Sequence, residues 1–266
     1  MTQKKQRLDV RLYEKGLCES REKARAAVMA GLVYVNNELA DKPGRAVSLD
    51  AKLEVRGNAV PYVSRGGLKL EKAIKVFNLN LYHKVVLDVG ASTGGFTDCA
   101  LKHGARLVYA VDVGYGQLAW SLRNDPRVVV LERTNIRYLT AEALTETPDF
   151  VTIDVSFISL SKFLSQLGGL THPEAAGVAL IKPQFEAGRE KVGKKGVVRD
   201  ASVHLEVLQE ITGLINALGW FVAGLDFSPV TGPEGNIEFL VYFVKKSVKR
   251  PYDPQIVVER AHAELY

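Results

Sequence analysis

Twelve residues, Val86-Leu87-Asp88-Val89-Gly90-Ala91-Ser92-Thr93-Gly94-Gly95-Phe96-Thr97, narrow the fold more than any other part of this 266-residue chain. An apolar run ends at Asp88-Val89 as a buried parallel strand does, small residues turn the backbone, and Phe96 opens a helical pattern. Strand, glycine loop and helix together form the usual device for holding a nucleotide-like ligand. Glycine lets the backbone approach such a ligand where a Cβ would collide. The spacing differs from the G-x-G-x-x-G of a dinucleotide site, because Ser92 and Thr93 interrupt it. The next apolar run ends in Asp112, and a carboxylate at the tip of the second strand is placed to accept bonds from a ribose diol. Asp88, Gly90, Ser92, Gly94 and Asp112 are therefore the first candidate binding residues.

From residue 84 onward, apolar runs alternate with helical patterns, which predicts a mostly parallel sheet. Strands are expected at 84–89, 107–112, 127–131, 150–154, 176–181, 220–227 and 237–244. Helices are expected at 95–103, 117–123, 141–145, 159–167 and 201–218. Residues 228–235 contain two prolines and two glycines and leave no room for a helix. The last two strands must then form a hairpin, with the seventh reversed. The fold class is α/β: six parallel strands with the last antiparallel, the plan of Rossmann-like methyltransferases, plus a small N-terminal α+β module. The tail, 247–266, carries a further helix.

Charge divides the chain. Residues 1–65 hold thirteen Lys and Arg against eight Asp and Glu, and the remainder is balanced. A localised positive surplus suits a polyanion, because neutralising phosphates releases counterions; a solvated lysine-rich face explains the charge alone equally well. Two cysteines are too few for a disulfide framework or a metal site, and no apolar run approaches the ~18 residues of a membrane span. A cytoplasmic protein without a metal is expected.

Within residues 1–60, a short helix from Arg7 to Glu14 and a second one capped by Ser20 precede a Leu32-Val33-Tyr34-Val35-Asn36 strand and a Lys42-Pro43-Gly44 turn. These elements, with Arg7-Leu8-Asp9, Ser20-Arg21, Ala24, Gly31 and Leu53-Glu54-Val55, resemble the small RNA-binding module first named from ribosomal protein S-four. That resemblance implies RNA contacts from Arg21, Lys23 and Arg25 on the second helix, and from Arg7. Residues 61–67 read as a linker, and 68–246 as the second domain.

Ligands in doubly wound sheets bind beyond the carboxyl ends of the strands. Asp154 ends the fourth strand, Lys182 ends the fifth, and Glu238 opens the reversed seventh, so three charges share one rim. Burying such charges singly is costly. A structural salt-bridge cluster is the simpler account of any one of them, and catalysis the better account of all three.

With Lys69, these residues resemble the Lys-Asp-Lys-Glu tetrad of FtsJ-type ribose 2'-O-methyltransferases. The segments around Ser64-Arg65-Gly66-Gly67-Leu68-Lys69, Asp88–Thr97, Asp112–Trp120, Asp154-Val155-Ser156-Phe157, Lys182-Pro183-Gln184-Phe185-Glu186 and Gly235-Asn236-Ile237-Glu238 are similar to the TlyA family. The resemblance spans nearly the whole chain and implies S-adenosylmethionine as methyl donor. It also implies a cytidine 2'-hydroxyl in ribosomal RNA, or in ribosomal subunits, as acceptor. Tyr115 and Phe157 would flank the donor, Asn135 would read its adenine, and Asp154 would also touch its methionine part. Lys69 and Glu238 would position the target ribose. For Lys182 two roles stay open, general base or orienting group. A lysine beside another ammonium releases its proton more readily, and one beside carboxylates less so. Arg65, Lys191, Lys194 and Lys195 are further RNA-binding candidates, the last three in a basic glycine-rich loop. Members of the family often carry the name hemolysin, which nothing in this sequence supports.

Two other readings compete. Gly90-Ala91-Ser92-Thr93-Gly94 also fits the G-x-S-x-G nucleophile elbow of α/β-hydrolases. However, His204 and His262 fall in helices, and His83, His103 and His172 are poorly placed to serve Ser92. A non-catalytic RNA-binding or ribosome-assembly factor is the second alternative, disfavoured by the intact tetrad.

Overall fold

The computed structural model describes residues 5–29, 31–56, 61–246 and 251–266. The chain divides into two compact units, Met1–Leu68 and Lys69–Tyr266. The expected boundary at residue 60 and the start of the tail at 247 both lie outside the described residues.

In the first unit, β1 (Lys5–Arg7), α1 (Leu8–Glu14), α2 (Arg21–Met29), β2 (Val33–Val35), β3 (Glu38–Leu39), β4 (Ala46–Ser48) and β5 (Leu53–Val55) follow in order. Leu8 and Leu12 of α1 meet Ala24 and Val28 of α2 in a small core closed by Val33, Val35, Val47 and Leu53. Strands β1, β3 and β4 were not expected, since two or three residues give no alternation to read. They exist through pairing: β1 with β4, and β3 with β2, each antiparallel.

Helix α3 (Gly66–Phe77) begins within the residues 61–67 expected to form a linker. At Gly67 a Cβ would stand 2.3 Å from Cγ of Tyr62, so glycine is required for that ring to close on the helix start. The second unit then runs β6 (Val85–Val89), α4 (Gly95–Lys102), β7 (Leu107–Val111), α5 (Trp120–Arg123), β8 (Val128–Leu131) and β9 (Phe150–Ile153). It ends with α6 (Leu167–Leu170), β10 (Ala176–Ile181), α7 (Pro183–Glu186), α8 (Ala201–Ala217), β11 (Phe221–Phe227), β12 (Phe239–Val244) and α9 (Pro254–Leu265).

The seven strands lie in the order β11-β12-β10-β9-β6-β7-β8. Six are parallel, and β12 runs antiparallel to both of its neighbours. Sequence showed the reversal but not that β12 inserts between β10 and β11. The order of strand addition reverses between β6 and β9, which run parallel, and this opens the ligand crevice at their carboxyl ends.

Three expected helices are shorter. Only Trp120–Arg123 of 117–123 is helical, because Leu118 packs under Gly94 and the Ala119 N–H bonds to the Thr93 carbonyl. Residues 141–145 hold a single 3-10 turn, Ala141–Ala143. Residues 159–167 break into two such turns before α6, pinned at their start by Glu186, which accepts from Ser159 Oγ and the Leu160 N–H. At the far end α9 lies on the core of this unit, burying Val257, Val258 and Ala261.

Candidate active site

All five residues of β6 are buried, as a central parallel strand requires. The chain then turns at Gly90, whose φ is +85° and where a Cβ would lie 2.6 Å from the Asp154 carbonyl oxygen. Only glycine lets the loop pass so close to the end of β9. The Ser92 N–H donates to Asp112 Oδ2 at 2.8 Å and the Gly114 N–H to Oδ1 at 2.7 Å. Asp112 is thereby fixed through both oxygens at the tip of β7, with lone pairs left for a ligand.

A cavity of about 510 Å³ opens here. Gly90, Ser92, Asp112, Asn135, Asp154 and Phe157, all named from sequence, line it. Asn135 Oδ1 also accepts from the Arg137 N–H, which fixes the side chain at the start of a 3-10 turn. Phe157 is 91% exposed, in a left-handed conformation with φ +65°, its ring 5.2 Å from that of Phe185.

Three of the named residues stand off the cavity wall. Gly94 faces Leu118 and Leu122, and there a Cβ would come within 2.2 Å of Leu122. Tyr115 lies under the Arg133 guanidinium, 4.3 Å from its ring centre. Asp88 is wholly buried beneath the loop, accepting from Thr97 Oγ1 at 2.6 Å and Thr152 Oγ1 at 2.8 Å. Burial outweighs those two hydroxyls and pushes its carboxyl up to about 6. In this position Asp88 joins β6, α4 and β9.

Lys69, Asp154, Lys182 and Glu238 form one connected ion cluster. Lys69 Nζ is 2.6 Å from Glu238 Oε2 and 3.7 Å from Asp154 Oδ2, and Lys182 Nζ is 2.6 Å from Asp154 Oδ1. The sheet explains this meeting. Ile181 of β10 pairs with Phe239 of β12, so the next residue beyond each, Lys182 and Glu238, leaves by the same edge. Lys69 arrives from the first turns of α3. The side chains of Lys69, Lys182 and Glu238 are 9%, 8% and 1% exposed, so each charge is compensated by a neighbour rather than by water. Burial alone would raise the Asp154 carboxyl, but Lys69 and Lys182 outweigh it and hold it below the usual carboxylate range.

Sequence reasoning missed one partner of this cluster, Ser156, and one brace of the segment beside it, Asn236. Ser156, on the cavity wall, receives a 3.0 Å hydrogen bond from Lys182 Nζ. Asn236 Oδ1 accepts from the Val198 N–H, and its Nδ2 donates to the Gly196 carbonyl, tying the end of the basic loop to the segment that carries Glu238. Within that loop Lys194 and Lys195 are exposed, and Lys191 pairs with Glu206.

In the first unit, Arg7 and Arg21 both reach the buried Asp9, Lys23 pairs with Glu19, Arg25 is exposed and Arg65 is half-buried. The nucleophile-elbow reading finds no support: the Ser92 hydroxyl donates to Gln117 Oε1, while His204 bonds to His262 and to the Val198 carbonyl.

Residues 62–245 match the FtsJ-like methyltransferase family, and residues 6–53 match the S4 domain. The "Putative rRNA methyltransferase YqxC" of Bacillus subtilis is 58% identical over 243 residues, 91% of this chain and 86% of its own length. The "16S/23S rRNA (cytidine-2'-O)-methyltransferase TlyA" of Mycobacterium tuberculosis is 46% identical over 237 residues, 89% of this chain and 88% of its own. A solved structure, "Putative hemolysin from Streptococcus thermophilus", superposes with a TM-score of 0.79 at 49% identity, covering 99% of this chain and 98% of that one.

Proposed function

The chain belongs to the FtsJ-like methyltransferase family, and we propose that it moves a methyl group from S-adenosylmethionine to the ribose 2'-hydroxyl of a cytidine in ribosomal RNA. One observation carries the reading: two lysines and two acids from four separate segments close into a single buried cluster whose Asp154 also lines the cavity. The names of the methyltransferase relatives supply the nucleotide and the RNA class. The hemolysin name of other relatives draws no support here, since no described helix is long and apolar enough to cross a membrane.

The residues present fit the donor. The cavity is of ligand size, its glycine cradle admits close backbone approach, and Asp112 offers a fixed carboxylate suited to a ribose diol. Gly90 and Ser92 would hold the methionine part, and Asn135 and Phe157 the adenosine. S-adenosylmethionine supplies a methyl already activated by its sulfonium, so the chain's own task is alignment and the handling of one proton. Ionised Asp154 fixes the Lys182 ammonium, which holds the 2'-oxygen in line while the hydroxyl proton leaves to water. Lys69 positions the target ribose, held in place by the buried Glu238 behind it. The first unit adds affinity for ribosomal RNA, a substrate that places the protein in the cytoplasm.

Incubation of the purified protein with ribosomal subunits and labelled S-adenosylmethionine, followed by mass mapping of the RNA, tests this. A new 2'-O-methylcytidine is expected; binding of donor and RNA without any transfer would favour the assembly-factor reading. A transfer rate that is flat from neutral to alkaline pH is expected of an orienting Lys182. A rate climbing tenfold per pH unit would assign it the general-base role instead.

A further inference from the structure

Asp9 is an acid placed where α1 is otherwise apolar, and no part of its side chain is exposed. Its two oxygens are held side-on by Arg7, Nε to Oδ1 at 3.0 Å and Nη2 to Oδ2 at 2.9 Å. The guanidinium of Arg21, at the start of α2, reaches the same Oδ2 at 3.5 Å. Burial would lift the Asp9 carboxyl, yet Arg7, with help from Arg21, holds it below the usual range. Two cations thus share one anion, which leaves a surplus of one positive charge.

A plain structural staple would need one arginine, turned inward. Here the side chains of Arg7 and Arg21 are 55% and 56% exposed. Arg7 turns its inner edge to Asp9, its other N–H groups make no hydrogen bond among the described residues, and it rests on the turn after Pro43, where a Cβ at Gly44 would stand 3.3 Å from its Nη1. That turn is pinned beneath it, with the Leu8 N–H bonded to the Arg45 carbonyl and the Asp9 N–H to the Pro43 carbonyl. An arginine on the surface ordinarily gives up rotamer freedom when it is fixed on a ligand. A buried carboxylate that has already fixed two of them removes much of that cost. Planar guanidiniums also match phosphate oxygens edge to edge, which ammoniums do not.

We propose that Asp9 is a positioning residue that sets Arg7 and Arg21 as a two-pronged fork for a backbone phosphate of RNA. The proposal rests on the RNA substrate argued above and adds the geometry by which the first unit grips it.

The test is equilibrium binding of the full-length chain to deproteinised ribosomal RNA at 100 and 300 mM KCl. Removing a negative charge should by simple electrostatics tighten binding; the fork requires the reverse. Asp9→Asn is expected to weaken binding about tenfold and to lower the dependence of log K on log salt by about one phosphate contact. Arg21→Lys preserves charge at a side chain that is 56% exposed, and is expected to weaken binding about threefold or more through lost geometry. Asp9→Asn that binds as tightly as the parent, or tighter, would overturn the proposal. If Asp9→Asn unfolds the first unit, as circular dichroism would report, Arg21→Lys decides, and unchanged affinity there overturns it equally. Failure of the parent chain itself to bind this RNA in a salt-dependent way would sink the RNA reading and the fork with it.

Discussion

Replacing Lys69 by Met tests how the rim is held together. The Glu238 side chain is 1% exposed, and its carboxylate takes its short contact, 2.6 Å, from the Lys69 ammonium. Without that ammonium a buried carboxylate stands uncompensated, which costs about 3–5 kcal/mol. Glu238→Gln in the same chain restores neutrality, and the double variant should lose only about 1–2 kcal/mol, about 2–3 kcal/mol less than Lys69→Met alone. Lys182 and Asp154 keep each other in both variants. Urea unfolding followed by tryptophan fluorescence reads the right unit, because both tryptophans, Trp120 and the buried Trp220, lie in Lys69–Tyr266. The midpoint shift multiplied by the m-value gives each cost. Methyl transfer should be absent in single and double variants alike, so restored stability without restored activity separates the two roles. A Lys69→Met penalty under about 1 kcal/mol, or a double variant that loses the full sum of the singles, refutes the paired-charge argument.

Lys182→Met should abolish transfer while calorimetry finds S-adenosylmethionine affinity within about twofold, since Lys182 stands off the cavity wall; a tenfold loss of affinity would relocate it to the donor site. Asp88 has its carboxyl raised from 3.8 to about 6, so its contribution to stability is full below pH 3.8 and lost as pH rises through 6. Asp88→Asn should therefore gain about 2 kcal/mol on the parent between pH 4.5 and 7.5, checked by urea midpoints at both; a constant difference contradicts the shift. His204 is pushed down to about 4 by burial and by His262, so its contribution is full above pH 6.5 and lost as pH falls through 4. Proton NMR should find its ring uncharged at pH 5.5, and a midpoint above 6 would count against the packing of α9 described here. Removing residues 1–60 should cost most of the activity on ribosomal RNA while tryptophan fluorescence stays native; undiminished activity would refute the division of labour.

Sequence revealed those parts of the fold that are local. β6, β9 and β10 are apolar apart from Asp88 and Thr152, so their ends, and with them Asp154 and Lys182, could be located without neighbours. The neighbour of β12 was not legible, because a hairpin fixes direction but not which earlier strand it joins. Residues 159–167 carry helical spacing, yet too short a run to hold itself, and the bonds to Glu186 decide their shape from a distance. Lys69 sits on a helix far from the other three in sequence, and only its resemblance to a known motif drew attention to it. Asp9 entered only as part of the Arg7-Leu8-Asp9 resemblance, although an acid between Leu8 and Val10, two residues after an arginine, was itself a signal. Ser156 and Asn236 lie in irregular stretches, where no periodicity marks which way a side chain turns.

The insertion of β12 sets an order of events during synthesis. β10 is made first and β11 next, but the strand that belongs between them emerges last of the sheet. Until residue 244 has left the ribosome, the edge of β10 is an open row of peptide groups and β11 has no partner at all. Glu238 travels with that late segment. The nascent chain therefore gains the last strand of its sheet and the last charge of its rim in one closing step.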